Sequence, residues 1–318
     1  MSESSEKQHF ITAVVGPTAS GKSSLAMKIA EKYDGTIICC DSMQIYKGMD
    51  IATAKPDEEE MQGIPHHLIS ELEPTSSFSV AEYVKLAQQK IEDIAARGKL
   101  PILVGGTGLY VSSLIDNINF DNAITDGSVR RKLTEEAERI GNEAMLEKLR
   151  EIDPEAAEKI PAANLVRIIR ALEVYEVTGI PFSRHKELNR MQDSLYNACM
   201  IGLTYKDRSV LYDRINRRVD IMLEKGLIEE CRAVYENEKL GTACQAIGYK
   251  ELIPYFDGVK PKEECIDKIK QYSRNYAKRQ LTWFRRDERI QWVEIEEDTA
   301  FSTIIAECKK IVAKTEIL

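Results

Sequence analysis

The chain has 318 residues, of which 43% are hydrophobic and 30% are charged. This composition is typical of a globular protein and too apolar for a disordered one, and the length suggests two domains or one core with a large insertion. The formal net charge of -8 argues against a protein coated in positive charge, such as a histone-like DNA binder.

The sequence carries no signal for membrane insertion, secretion or a metal cluster. No run approaches the roughly 18 consecutive apolar residues of a transmembrane helix, and the polar N-terminus is unlike a signal peptide. The seven cysteines are odd in number and lack a CxxC pair, which indicates reduced core residues. The four histidines lack a metal-ligand spacing. We therefore expect a cytoplasmic protein that does not bind a membrane.

The first 115 residues alternate between short apolar runs and amphipathic segments. Strands are predicted at residues 10–15, 36–40 and 101–104, and helices at residues 24–33 and 79–97. This alternation indicates an α/β fold, in which helices flank a parallel, doubly wound sheet.

The pattern changes after residue 115, where charged helical segments replace the strand signals. Helices at residues 129–140 and 142–152 indicate an all-helical insertion domain, which we place at residues 116–197. A strand at 198–203, helices to residue 283, a strand at 290–295 and a helix at 299–314 then complete the core domain. That domain is expected to comprise residues 1–115 and 198–318.

Residues 16–23 read Gly-Pro-Thr-Ala-Ser-Gly-Lys-Ser and fit the phosphate-loop pattern G-x-x-x-x-G-K-[ST] between a strand and a helix. In such a loop, backbone N–H groups and the helix N-terminus bind phosphate oxygens. Lys22 adds a positive charge, and Ser23 adds a hydroxyl for Mg²⁺. The predicted phosphate or diphosphate site is formed by Gly16, Pro17, Thr18, Ala19, Ser20, Gly21, Lys22 and Ser23.

Phosphoryl transfer would require a second acidic residue for Mg²⁺, commonly at the end of an apolar strand. The strand at 101–104 instead runs into Gly105, Gly106 and Thr107, and no guanine-reading N-K-x-D motif is present. Either the loop binds phosphates for another purpose, or the acidic residue lies elsewhere.

Further polar residues follow the strands at the same predicted sheet edge, where ligands bind in open α/β sheets. Asp41 directly follows the strand at 36–40, and a carboxylate there can accept a proton from a nucleophile or hold Mg²⁺ through water. A helix cap or turn is the alternative role. Gln44 can donate and accept at once, which suits a base edge. Thr107 lies among glycines that allow close approach of a ligand, or that simply form a tight turn.

Two segments near the C-terminus are basic. Four arginines occur within residues 208–218, and residues 266–289 contain eight Lys/Arg against three Asp/Glu. If the helix persists, one face carries Arg274, Lys278, Arg285 and Arg289, and a parallel stripe carries Tyr272, Tyr276 and Trp283. Interleaved cations and aromatics suit a nucleic acid. A solvated amphipathic helix is the alternative, as it is for Arg167 and Arg170 in the insertion.

Eight segments spread over nearly the whole chain form a more specific pattern. They are residues 16–23, Asp-Ser-Met-Gln-Ile-Tyr-Lys-Gly-Met-Asp at 41–50, Thr-Ala-Lys-Pro at 53–56, Pro-His-His-Leu at 65–68, Gly-Gly-Thr-Gly-Leu-Tyr at 105–110, Arg-Ile-Ile-Arg-Ala-Leu-Glu-Val at 167–174, Ala-Ile-Gly-Tyr-Lys-Glu at 246–251 and Tyr-Ala-Lys-Arg-Gln-Leu-Thr-Trp-Phe-Arg at 276–285. Together they strongly resemble the tRNA dimethylallyltransferase (tRNA isopentenyltransferase) family of bacterial type. One departure is Ala52, where the family is expected to carry glycine.

The resemblance implies a phosphate-loop core and a reaction in which dimethylallyl diphosphate alkylates N6 of adenosine 37 in the tRNA anticodon loop, releasing diphosphate. It implies Mg²⁺ as cofactor, held by Ser23, and a monomer without an obligatory protein partner. The implied catalytic residues are Asp41, Thr107, Lys22 and Arg208, of which Arg208 also contacts the diphosphate. The implied tRNA contacts are Asp41, Ser42, Met43, Gln44, Thr107, Arg130, Arg167, Arg170, Lys250, Arg274, Lys278, Arg279, Trp283 and Arg285.

Three other functions remain open at this point. The first is a small-molecule kinase of the phosphate-loop class, in which Asp41 activates an acceptor hydroxyl. The second is a prenyltransferase that acts on free AMP or ADP. The third is a non-catalytic RNA-binding module, which would not need the phosphate loop, Asp41 and Thr107 together.

Overall fold

The computed structural model describes residues 9–118, 127–189, 194–236 and 242–314. The chain separates into two compact units, one formed by Met1–Ile115 with Leu195–Leu318 and the other by Asp116–Ser194. Residues 119–126 and 190–193, near the two ends of the predicted insertion, lie outside the described residues.

The first unit is built on a six-stranded sheet in which all paired strands are parallel. The strands are β1 (His9–Val15), β2 (Gly35–Cys39), β3 (His66–His67), β4 (Leu100–Gly105), β5 (Tyr196–Tyr205) and β6 (Gln291–Ile295), in the order β3-β2-β4-β1-β5-β6. The predicted parallel α/β sheet is therefore confirmed. The sequence pattern does not predict β3, because two half-buried histidines form no apolar run.

Helices connect and cover these strands. In the first unit they are α1 (Lys22–Tyr33), α2 (Glu58–Met61), α3 (Val80–Ala96) and α4 (Gly108–Ile115). In the second unit they are α5 (Ser128–Ile152), α6 (Pro154–Lys159), α7 (Leu165–Thr178) and α8 (Phe182–Asn189). After β5 the first unit adds α9 (Arg208–Glu224), α10 (Leu227–Tyr235), α11 (Tyr249–Phe256), α12 (Lys262–Phe284) and α13 (Phe301–Lys314).

The core of the first unit explains why these segments fold as they do. Apolar residues of α1 and α13, such as Leu25 and Val312, pack against Val14 and Ile201 of the central strands. Strands with continuous buried apolar runs are expected when helices cover a parallel sheet. Among the described residues, no helix has the length and apolarity to cross a membrane.

The second unit has its own apolar core, formed mainly by α5 and α7. Leu133 and Leu149 of α5 pack there with Ile168 and Leu172 of α7. Gly141 has a non-helical backbone with φ 84° and divides α5 into two helical stretches, which correspond to the two helices predicted at 129–140 and 142–152.

The structure corrects the prediction that Arg289 shares a helix face with Arg274. Helix α12 ends at Phe284, and Arg285 is its C-cap. The chain then turns toward β6, and the buried Ile290 side chain lies directly before that strand. Arg289 lies in this turn and forms an ion pair with Asp287. The helical spacing fails here because the apolar residues after Phe284 belong to a strand.

The described residues include all seven cysteines and contain no disulfide bond. Six of the cysteines are buried, as their apolar neighbours in the sequence predict. The described residues contain no group of three or more His, Cys, Asp or Glu side chains arranged to hold a metal ion.

Candidate functional site

Loops at the carboxyl edge of the parallel strands enclose a cavity of about 300 Å³ in the first unit. Ligands bind at this edge in open α/β folds. Its polar wall includes Thr18, Lys22, Ser23, Asp41, Ser42, Gln44, Gly105, Gly106, Arg218, Tyr276, Arg279 and Gln280. Its apolar wall includes Ile215, Val219, Met222, Leu227, Ile247 and Ile269. The cavity therefore combines a charged part with a part that suits a small hydrocarbon group.

The glycine loop between β1 and α1 has the backbone of an anion site. Gly16 has φ 139°, and a Cβ there would lie 2.3 Å from the carbonyl oxygen of Leu203, so only glycine fits. Gly21 caps α1 with φ 93°. Lys22 begins the helix, and its Nζ donates a 2.6 Å hydrogen bond to the carbonyl oxygen of Pro17. This bond folds the Lys22 side chain back over the loop, where its ammonium group can contact a bound phosphate.

Lys22 shares this cavity with Arg218, and the two positive charges are close enough to interact. Burial and the nearby charge of Arg218 lower the pKa of Lys22 to about 7, although Asp41 acts in the opposite direction. Burial also lowers the pKa of Arg218. The Arg218 guanidinium donates to Thr18 Oγ1 at 3.2 Å and to the Ala54 carbonyl oxygen at 3.4 Å. Like charges held together in a buried site favour a bound anion, so the cavity suits diphosphate.

Asp41 both stabilises a turn and lines the cavity. Its Oδ1 accepts a 2.9 Å hydrogen bond from the backbone N–H of Met43, as in a turn, and the same residue lines the cavity. The next residue, Ser42, donates its N–H to Thr107 Oγ1 at 3.1 Å, and the Thr107 N–H donates to the Cys40 carbonyl oxygen. These bonds hold the loops after β2 and β4 together and fix the carboxylate at the cavity wall.

Gln280 joins the two glycine loops, which the sequence analysis did not predict. Its Oε1 accepts the Thr18 N–H at 2.8 Å, and its Nε2 donates to the Gly106 carbonyl oxygen at 3.0 Å. A Cβ on Gly106 would lie 1.9 Å from that Nε2, so a larger residue there would displace the Gln280 amide from its bonds. Tyr276, one turn earlier, is hydrogen-bonded to Thr107 and Gln280, and burial raises its pKa.

Gln44 reaches the cavity, but its amide already has partners. Its Oε1 accepts from the Cys39 thiol at 3.2 Å, and its Nε2 donates to the carbonyl oxygens of Thr53 and Ala54 at 3.0 and 3.3 Å. A base edge that accepts from Gln44 Nε2 would therefore have to replace one of these carbonyl oxygens, whereas Oε1 can still accept a second hydrogen bond. Met43 also lines the cavity.

The structure does not bring Arg208 into the cavity. Arg208 begins α9 and lines a separate pocket of about 80 Å³ with Tyr212, Lys278, Thr282 and Arg285. The α9 arginine that lines the cavity is Arg218, later in the same helix. The local sequence offers four arginines between residues 208 and 218, and only the packing of α9 decides which of them points inward.

Some of the other predicted RNA contacts of the first unit line the cavity, and others lie outside it. Lys250 and Arg279 line the cavity, and the Arg279 guanidinium lies 5.6 Å from the centre of the Tyr276 ring. Arg274 donates to the Asn216 side chain. Trp283 is 41% exposed, lies against Gly108, and donates through Nε1 to Ser112 Oγ at 3.0 Å.

In the second unit, two of the three arginines predicted to bind RNA contact one buried carboxylate. Glu173 accepts from Arg130 at 2.6 Å and from Arg170 at 2.7 Å. Burial acts to raise the pKa of Glu173, but the two guanidinium groups outweigh it and the pKa is lowered. Arg167 is exposed on the same helix as Arg170. Part of the charge of the arginine pair is thus neutralised within the unit.

The fold and the cavity define a phosphate-loop α/β protein, whose cavity places the phosphate loop beside a carboxylate and an apolar wall. A family model described as IPP transferase matches residues 44–287. The chain belongs to this family.

Relatives and solved structures agree with this assignment. A curated tRNA dimethylallyltransferase of Acetivibrio thermocellus is 49% identical over 305 residues, which cover 95% of this chain and 97% of that protein. The crystal structure of the full-length tRNA isopentenylpyrophosphate transferase of Bacillus halodurans is 45% identical, with a TM-score of 0.73 and 96% coverage of each chain. A structure of a eukaryotic dimethylallyltransferase acting on tRNA has a TM-score of 0.81 at 29% identity, covering 96% of this chain and 80% of that one.

Proposed function

We propose that this chain transfers a dimethylallyl group from dimethylallyl diphosphate to N6 of adenosine 37 in the anticodon loop of tRNA, releasing diphosphate. The observation that best supports this proposal is that Lys22, Arg218, Asp41 and an apolar wall line the same cavity. The relatives named above act as tRNA dimethylallyltransferases. The same chemistry explains why no carboxylate follows β4, since a leaving diphosphate needs cations rather than a second acid.

In this reaction Asp41 removes a proton from the acceptor, and the cations of the cavity stabilise the leaving group. The lone pair of the adenine N6 is delocalised into the ring, so a base must take its proton as the new C–N bond forms. Asp41 is that base, held in place by the Met43 N–H. As the C–O bond breaks, its electron pair passes to the diphosphate, whose charge Lys22, Arg218 and the loop N–H groups stabilise. Preorganised donors of this kind contribute about 3 kcal/mol each to transition-state stabilisation.

Magnesium fits this site as a partner of the substrate. The Ser23 hydroxyl and the Asp41 carboxylate line the same cavity, whereas the described residues contain no cluster that would hold a metal without substrate. Mg²⁺ commonly binds through one or two protein oxygens together with substrate phosphates. When bound, the ion would supply positive charge to the diphosphate, with Ser23 as its protein ligand.

The acceptor must deliver an unstacked base to the cavity, which costs a few kcal/mol. Lys250 and Arg279 line the cavity and supply positive charge for the phosphates that flank that base. Trp283 presents an exposed aromatic ring close to the same loops. Arg167 in the second unit is a further candidate contact to the RNA backbone. We propose that the enzyme acts in the cytoplasm as a monomer.

The decisive experiment incubates labelled dimethylallyl diphosphate with unmodified tRNA, with AMP, or with neither, in the presence and absence of Mg²⁺. We expect label on tRNA only, dependent on Mg²⁺ and formed at a much lower rate by Asp41→Ala. Label on AMP instead would establish a prenyltransferase of free nucleotides. Phosphorylation of a small acceptor with ATP, without prenyl transfer, would establish a kinase and refute the proposal.

A further inference from the structure

We propose that Glu230 on α10 is a positioning residue for diphosphate binding, which acts on Arg218 through the loop at residues 49–55. This inference rests on the proposed function, because it assigns Arg218 to the diphosphate. Glu230 does not line the cavity itself.

The Glu230 carboxylate binds three consecutive backbone N–H groups. Its Oε2 accepts from Asp50 at 2.8 Å and from Ile51 at 2.7 Å, and its Oε1 accepts from Ala52 at 3.0 Å. Oε1 also accepts from the Tyr249 hydroxyl at 2.8 Å. Hydrogen bonds to an ionised acceptor are roughly twice as strong as neutral ones. One side chain from a distant part of the sequence therefore contributes four hydrogen bonds at this turn and its neighbour Tyr249.

Further hydrogen bonds connect the two ends of the turn, so we expect a shift at one end to reach the other. Thr53 Oγ1 donates to the Met49 carbonyl oxygen at 2.6 Å, and Lys55 Nζ donates to the Tyr46 carbonyl oxygen at 2.6 Å. Ala54 has a left-handed backbone with φ 48°, a conformation that persists only where the surroundings impose it. Glu230 supplies part of that constraint.

The loop ends at the cavity, where one carbonyl oxygen holds two site residues. The Ala54 oxygen accepts from Arg218 Nη2 at 3.4 Å and from Gln44 Nε2 at 3.3 Å. Arg218 is therefore held between this oxygen and Thr18 of the phosphate loop. Without Glu230, the loop loses its anchor, and Arg218 loses the acceptor that fixes one side of its guanidinium plane.

The test measures the affinity for inorganic diphosphate by calorimetry in the full-length chain at fixed Mg²⁺. We expect Glu230→Ala to weaken binding about tenfold, the effect of one misplaced charge-assisted hydrogen bond. Tyr249→Phe removes only one of the four bonds and is expected to have a smaller effect in the same direction. Glu229→Ala, at the exposed neighbouring position, is the matched control and is expected to leave the affinity unchanged.

A double-mutant cycle separates positioning from a purely structural role. If Glu230 acts through Arg218, Glu230→Ala has no further effect on diphosphate affinity in an Arg218→Ala background. Additive losses, or an unchanged affinity in the single variant, would overturn the proposal. If Glu230→Ala fails to fold, Glu230→Gln, which keeps one carbonyl oxygen, enters the same cycle with the same criterion. If the parent chain does not prenylate tRNA but the cycle still shows that Glu230 acts through Arg218, the proposed function is refuted. The inference about diphosphate binding is then retained.

Discussion

Diphosphate binding is expected to take up a proton at Lys22. Burial and the neighbouring Arg218 lower the pKa of this lysine to about 7 in the ligand-free site, whereas an unperturbed lysine has a pKa near 10.4. A bound diphosphate places negative charge beside the ammonium group and reverses the effect of Arg218, because an opposite charge favours the ionised form. The perturbation is Lys22→Met, which removes the titrating group.

The magnitude follows from the pKa value. At pH 8, a lysine with a pKa of about 7 is protonated in roughly one molecule in ten, so full protonation on binding takes up about 0.9 proton. At pH 7 the uptake is about 0.5 proton. The cationic form binds the anion, so the Lys22 contribution to affinity decreases as the pH rises through 7.

Calorimetric titration in buffers of different ionisation enthalpy measures this uptake directly. The slope of apparent enthalpy against buffer enthalpy gives the number of protons exchanged. Protonation of the diphosphate itself also contributes, but it is common to the parent chain and to Lys22→Met, so the difference between their slopes isolates the lysine. Equal slopes at pH 8 would show that Lys22 takes up no proton on binding and would refute the electrostatic reasoning.

Folding stability gives an independent check on the same group. With its pKa lowered to about 7, folded Lys22 binds fewer protons than unfolded Lys22 between about pH 7 and pH 10.4. The free energy of unfolding therefore gains a positive slope against pH across this window. Denaturant unfolding of the Lys22→Met variant is expected to lose that slope.

The other predictions concern the base, the cavity arginine and two alanines. Asp41→Ala is expected to reduce kcat by at least a factor of about 100 with tRNA affinity nearly unchanged, since general-base catalysis contributes that much; an equal loss of tRNA binding would indicate a structural role. Arg218→Gln is expected to weaken diphosphate binding while Arg208→Gln leaves it intact, and calorimetry that gives the reverse would restore Arg208 as the ligand. Ala54→Gly relieves a left-handed alanine and is expected to raise the free energy of unfolding by about 0.5 kcal/mol. Ala52→Gly, outside that conformation, is expected to lower it by a similar amount in denaturant titrations.

The parts of the site that are contiguous in sequence could be predicted well. The phosphate loop, with Gly16 and Gly21, is a local structure whose backbone angles its glycines permit. Asp41 follows a buried apolar strand, and the end of such a strand in a parallel sheet is the site edge. The alternation of strands and helices determined the fold for the same reason, because each element has its own periodicity.

The parts that depend on how helices rotate against the sheet could not be predicted. Gln280 acts by reaching Thr18 and Gly106, and no local pattern connects residues so distant in the chain. Arg208 and Arg218 are equally basic in the sequence, and only burial of the inner face of α9 places the second in the cavity. The Ala52 methyl group, unexpected beside the family pattern, is accommodated because Gly248 faces it without a side chain.

The placement of α9 also explains how two strained alanines are kept at the cavity. Ala19 in the phosphate loop and Ala54 in the loop opposite have φ values of 63° and 48°, each costing about 1 kcal/mol. The carbonyl oxygen of Ala19 accepts from Arg214 Nε at 3.1 Å, and that of Ala54 accepts from Arg218 Nη2 at 3.4 Å. These arginines lie one turn apart on the same face of α9. One helix face thus brings positive charge to the proposed diphosphate site and contacts both turns. A substitution of Arg218 is therefore expected to change the geometry of the site together with its charge.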